Sequence, residues 1–160
     1  YYEKDFSTWN HSIKYDLICS FGFIEHFKGE LEKQIIKKHI DMLKPGGKLI
    51  LTVPNFNYGQ YIICSLLNRR LLRKHNIKTM TLSYFKDIAS LNGLNIIYLK
   101  YYGGLFDFWL GDDNLNIFQL ILHKILRVAR YLLHNIKLNN RFFSPYIVFI
   151  AEHTGSDNSL

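Results

Sequence analysis

Apolar and polar positions divide the chain into short blocks of two kinds. Tyr15 to Ser20 is a compact apolar run after the loop Ser7 to Lys14, which predicts a strand buried on both faces. Leu31 to Leu43 follows with Leu31, Ile35, Ile36, Ile40 and Leu43 spaced three and four apart, the signature of one helix face. Glu30, Glu32, Lys33, Lys37 and Lys38 fall mostly on the other face. Lys44-Pro45-Gly46-Gly47 should stop that helix, because proline cannot continue it and glycine accepts positive φ. Lys48 to Val53 reads as the next buried strand, ended by Pro54-Asn55. Strand, helix, glycine turn and strand together predict a right-handed crossover between parallel neighbours.

Further on, Tyr61 to His75 reads as a helix ending in Arg69, Arg70, Arg73 and Lys74. Ser83 to Leu91 reads as another, capped by Thr81 or Ser83 and closed by Asn92-Gly93. Leu94 to Tyr102 is a strand stopped by Gly103-Gly104, Asn116 to Leu133 a long amphipathic helix, and Ser144 to Glu152 the last strand. The sum is an α/β protein with a parallel part and an antiparallel last pair. Two buried parallel strands are few for a doubly wound domain.

Composition narrows the class. The 160 residues are 48% hydrophobic and 16% aromatic, enough for a packed core and unlike a disordered chain. The net charge of +7 is spread without a run of five like charges, so it reads first as a composition bias toward Ile, Lys, Asn and Tyr and not as a polyanion site. Cys19 and Cys64 lack any CxxC spacing and fit reduced thiols, which with no visible signal peptide leads to the expectation of a cytoplasmic protein. Ile117 to Leu133 carries His123, Lys124, Arg127 and Arg130, a poor composition for a membrane span.

Three stretches carry a resemblance. Tyr15-Asp16-Leu17-Ile18 with Phe23-Ile24-Glu25-His26-Phe27 resembles the fourth strand and following turn of class I S-adenosylmethionine-dependent methyltransferases. Leu43-Lys44-Pro45-Gly46-Gly47 and the strand to Pro54-Asn55 resemble that family's next turn and fifth strand, and Ser144 to Ala151 its closing antiparallel strand. The resemblance implies a Rossmann-like methyltransferase fold with S-adenosyl-L-methionine as cofactor. The family's glycine-rich loop and ribose-binding acid have no counterpart in these residues. The expectation is therefore one partial domain over 1–160, incomplete on its N-terminal side and inactive by itself. Residues 57–77 and 105–143 would be helical insertions or a lid, and 154–160 a flexible tail.

Site residues follow from the resemblance. Asp5 would meet the adenine amine with Phe6 packing on the base, or Asp5 is simply a loop carboxylate. Ser20, Phe21 and Gly22 would lie along the cofactor at the carboxyl end of a parallel strand. His26 would be the catalytic base, because an imidazole's unperturbed pKa lies near neutrality, or a structural histidine of the turn. Glu25 and Tyr58 would face the acceptor, Glu25 with a structural role as its alternative. Some related enzymes hold a divalent metal with two glutamates and two histidines around this turn; Gly22 stands in the place of the first glutamate, so no metal is expected.

The expected acceptor is a small molecule or a glycan or lipid precursor, methylated on oxygen. The rival reading is a non-catalytic remnant or interaction domain. The basic helix 116–133 is either a lid with a solvated face or a peripheral membrane contact. Stacking-type interleaving of aromatic and basic residues is not evident, so no nucleic acid is expected.

Overall fold

The computed structural model describes residues 13–104, 115–133, 135–136 and 139–155. Four strands, β1 (Tyr15–Phe21), β2 (Leu43–Pro54), β3 (Leu94–Tyr102) and β4 (Tyr146–His153), form one sheet in the order β1-β2-β4-β3. The β1 and β2 strands are parallel, whereas β4 runs antiparallel to both β2 and β3. The parallel crossover and the antiparallel final pair thus match the expected architecture. Five α-helices complete it among the described residues: α1 (Glu30–Asp41), α2 (Tyr58–Leu67), α3 (Arg69–Lys74), α4 (Leu82–Leu91) and α5 (Ile117–Leu133).

The core sits on one side of the sheet. Leu49, Leu51 and Val53 of β2 lie opposite Ala151, Phe149 and Ile147 of β4, and all six are essentially inaccessible. Ile35, Ile36 and Ile40 of α1 and Phe85 and Ile88 of α4 join them in one apolar cluster. This is the stripe that the three-and-four spacing of α1 predicted. The opposite side of the sheet is open: Leu17 is 52% exposed and Phe21 65%.

That openness corrects the expectation for β1. A strand buried on both faces was read from its unbroken apolar run, yet only Ser20 within it is buried. Among the described residues β1 is an edge strand, with Leu17, Cys19 and Phe21 on the uncovered side. The unbroken run places apolar side chains on both faces of β1, of which one is uncovered among the described residues.

Two boundaries also differ. The Lys44–Gly47 turn does not precede β2 but is a bulge inside it, since pairing jumps from Tyr15↔Leu43 to Leu17↔Lys48. Gly46 takes φ 75°, and a Cβ on Gly47 would lie 2.9 Å from the Tyr15 carbonyl oxygen, so the bulge needs both glycines. The predicted helix 61–75 is two helices, broken at Asn68 with φ −151° and ψ 79°. The break lets α3 bury Leu71 and Leu72.

The Thr81 cap of α4 behaves as read, and α5 has a cap of its own. The Thr81 hydroxyl accepts from the Tyr84 amide at 3.2 Å, and Asn116 and Gln119 exchange side-chain-to-backbone bonds of 2.9 and 2.8 Å at the start of α5. Asn55, fully buried, donates to the Arg141 and Ser144 carbonyls at 3.0 and 2.8 Å, tying the end of β2 to the approach to β4. No helix among the described residues is long and apolar enough to cross a membrane.

Candidate functional site

Where β1 ends, the chain turns sharply. The Gly22 amide donates to the Thr52 carbonyl at 2.9 Å, and Gly22 itself takes φ 61°. That left-handed turn leads into a 3₁₀ turn, Ile24–His26, which buries Ile24 and Glu25 to 1% exposure. Among the described residues, a Cβ on Gly22 would meet only the Glu25 Oε1 atom, at 3.4 Å, so the strand end is otherwise open there.

A second segment is brought against this turn by Asn76. Its amide donates to the Glu25 carbonyl at 2.6 Å, while its side chain donates to the Phe27 carbonyl at 3.0 Å and to Glu32 at 2.5 Å. Tyr84 also donates to Glu32, at 2.6 Å. These bonds set His75 beside the 3₁₀ turn, with its ring centroid 4.7 Å from that of His26 and 5.1 Å from that of Phe56.

The electrostatics of the three side chains differ. Glu25 is buried, and its Oε2 has no hydrogen-bond partner among the described residues. Burial raises its carboxyl from 4.5 to about 7, and a backbone hydrogen bond only partly opposes this. Its Oε1 lies 4.0 Å from Nε2 of His26, whose side chain is half exposed. His75 Nδ1 is 2.6 Å from the Leu71 carbonyl oxygen, so that nitrogen carries the hydrogen and donates it. Burial holds His75 below the ordinary imidazole range, and the neighbouring His26 and Lys74 add to the effect.

All three border a cavity of about 450 Å³, lined also by Gly22, Phe56, Lys74 and Tyr146. It opens at the carboxyl end of β1, the edge where open α/β sheets take ligands. Of the predicted site residues, Gly22, Glu25 and His26 come together here. Ser20 is buried and Phe21 exposed one position further on, and neither lines the cavity. Tyr58 sits at the start of α2 with φ 51°, its ring 5.3 Å from that of Phe142 and beneath the Arg141 guanidinium, away from the cavity lining. Asp5 and Phe6 lie outside the described residues.

Sequence reasoning missed His75, Phe56 and Tyr146. The first ends a basic cluster whose charges suggest a solvated helix end. Only the long-range bonds of Asn76 carry it to the turn, and no spacing rule encodes those.

The fold has solved counterparts. The chain matches, at a TM-score of 0.52 and 16% identity, a structure from Galdieria sulphuraria assigned as a sarcosine dimethylglycine methyltransferase. The match covers 95% of this chain and 58% of that one, so these residues span little more than half its length. An O-methyltransferase family protein from Burkholderia thailandensis matches at a TM-score of 0.48 and 11% identity, over 98% of this chain and 36% of that one. The α/β architecture is thus that of the Galdieria structure over nearly all of this chain. No protein-family model and no curated relative matches the sequence.

Proposed function

We propose that this chain carries the later part of an S-adenosylmethionine-dependent methyltransferase site. The acceptor is a small molecule or a glycan or lipid precursor, methylated on oxygen in the cavity beside Glu25 and His26. The observation that supports this reading most is the end of β1. A left-handed glycine leaves backbone open at a parallel strand terminus, directly beside a cavity bordered by titratable side chains. When bound, S-adenosylmethionine supplies a methyl group already activated on a sulfonium. The protein's task is then mainly to position the acceptor. His26, half exposed at the cavity, would take the proton that the acceptor hydroxyl gives up as its oxygen gains the methyl. Ser20, Phe21 and Gly22, with Asp5 and Phe6, would form the part of the cofactor site these residues contribute.

Amide chemical shifts of the chain, followed as S-adenosylhomocysteine is added to millimolar concentration, test the reading. Perturbations centred on Ser20, Phe21 and Gly22 are expected. A spectrum unchanged throughout would remove the cofactor site and leave the rival, a non-catalytic interaction domain.

One feature favours a membrane-surface role beside, or in place of, catalysis. The α5 helix has no acidic residue, exposes Lys124 and Arg127, and leaves Ile121, Ile125, Val128 and Leu132 between 55% and 69% exposed along one stripe. An apolar stripe flanked by cations is suited to the interface of an anionic bilayer. Sedimentation with phosphatidylserine vesicles is expected to carry the chain down at low salt, and Val128→Asp should reduce the bound fraction several-fold. Equal sedimentation with neutral phosphatidylcholine vesicles, or none with either, counts against this role.

A further inference from the structure

The 3₁₀ turn and the end of α3 place two imidazoles and a carboxylate around one point. We propose that Glu25, His26 and His75 bind a divalent transition-metal ion of the zinc, cobalt or nickel kind at the edge of the cavity. The proposal stands on these donor atoms and does not depend on the methyl-transfer reading.

Four observations converge. One ligand atom from each of the three side chains lies within 4.8 Å of the others. A bound ion with ligands at about 2.0–2.2 Å would draw them to separations of roughly 3–3.5 Å, an adjustment that the half-exposed His26 side chain can supply by rotation. Glu25 is 1% exposed and its Oε2 has no partner among the described residues, a buried oxygen for which a cation is the missing complement. His75 donates through Nδ1 to the Leu71 carbonyl, which leaves Nε2 as its lone-pair nitrogen. A backbone carbonyl behind an imidazole is also the arrangement that fixes the tautomer of metal-binding histidines.

The donor set chooses the ion. Two neutral imidazoles with one carboxylate suit zinc, cobalt or nickel, whereas magnesium and calcium prefer sites built from oxygen. Three protein ligands leave a coordination position free beside the cavity, as in catalytic sites and unlike closed structural ones. Lys74 also borders the cavity and opposes a cation, but it is exposed and screened by solvent. Gly22 stands where some related enzymes have a metal-binding glutamate. His75 supplies the third donor from a distant segment.

Titration of the full chain with Co²⁺, read by visible d–d absorption, tests the site. Saturation at one equivalent is expected, with Zn²⁺ displacing the signal. Glu25→Gln and His26→Ala should each weaken Co²⁺ binding roughly tenfold or more. His26→Ala removes a half-exposed ring and Glu25→Gln keeps the side-chain shape, so circular dichroism should find both variants folded. No stoichiometric Co²⁺ signal from the native chain, or the same affinity in both folded variants, overturns the proposal.

Discussion

In metal-free buffer containing a chelator, Glu25→Gln is expected to raise stability at about pH 8 by up to roughly 3 kcal/mol while changing little near pH 4.5. Burial lifts the folded-state carboxyl from 4.5 to about 7. Between those values the folded chain binds a proton that the unfolded chain has released. Native stability therefore falls as pH rises through this window, and the penalty is complete above about pH 7. At about 1.4 kcal/mol per pH unit the loss is of the stated order. Glutamine keeps the shape and carries no charge, so the variant should lack this slope.

The neighbouring His75 titrates with the opposite consequence. Its lowered value makes acid, not base, unfavourable to the native state. Lys74 and His26 face the same cavity, so the native profile is a composite. Subtracting the profile of the variant isolates Glu25. Urea unfolding at pH 5, 6, 7 and 8 provides the comparison, and two parallel curves would mean that the carboxylate is solvated or paired in the native state.

Phe85→Ala should cost about 3–5 kcal/mol, enough to lower the melting temperature by roughly 10 °C. Phe85 is fully buried, stacks on Phe149 at 5.1 Å and meets Tyr84 edge-on at 5.4 Å. It joins α4 to the middle of β4, and a cavity there would lie against the sheet with little room to collapse. Leu91→Ala, at the end of the same helix and 84% exposed, serves as the control and should change stability by less than about 0.5 kcal/mol. Thermal melts followed by circular dichroism separate the two cases. A loss under about 1 kcal/mol for Phe85→Ala would mean that α4 does not seat on the sheet as described.

The parts of the fold legible in the sequence were those with local punctuation. The bounds of β3 match the reading, Leu94–Tyr102, because Gly93 and Gly103 bracket the strand in left-handed conformations. The α4 helix begins at its Thr81 cap, and α5 starts one residue from its predicted first position. Local rules failed where tertiary pairing redirected the chain. The proline and glycines at 45–47 signal a stop, yet they form a bulge held by the Tyr15 pairing inside a longer strand. Asn68 breaks a helix without proline or glycine, because burying Leu71 and Leu72 favours a new direction. The site followed the same division. Gly22, Glu25 and His26 share a turn and were read together, whereas His75 arrives through hydrogen bonds made by Asn76 to groups far away in sequence. Nothing local marked Glu25 as buried either. Its carboxylate is enclosed by the turn that follows the glycine, and not by an apolar run.

The pairing of β2 with β4 bears on how the molecule assembles itself. Leu51 opposes Phe149, so the central antiparallel ladder joins segments separated by most of the described chain. The β1–α1–β2 unit can form early from near neighbours. The apolar face of β2 then waits for β4, with α2 to α5 emerging in between. Such high contact order makes for slow folding, and the bare strand invites misassociation meanwhile. The sheet is thus expected to close only once β4 has been made, and β2 to depend on chaperones for that interval.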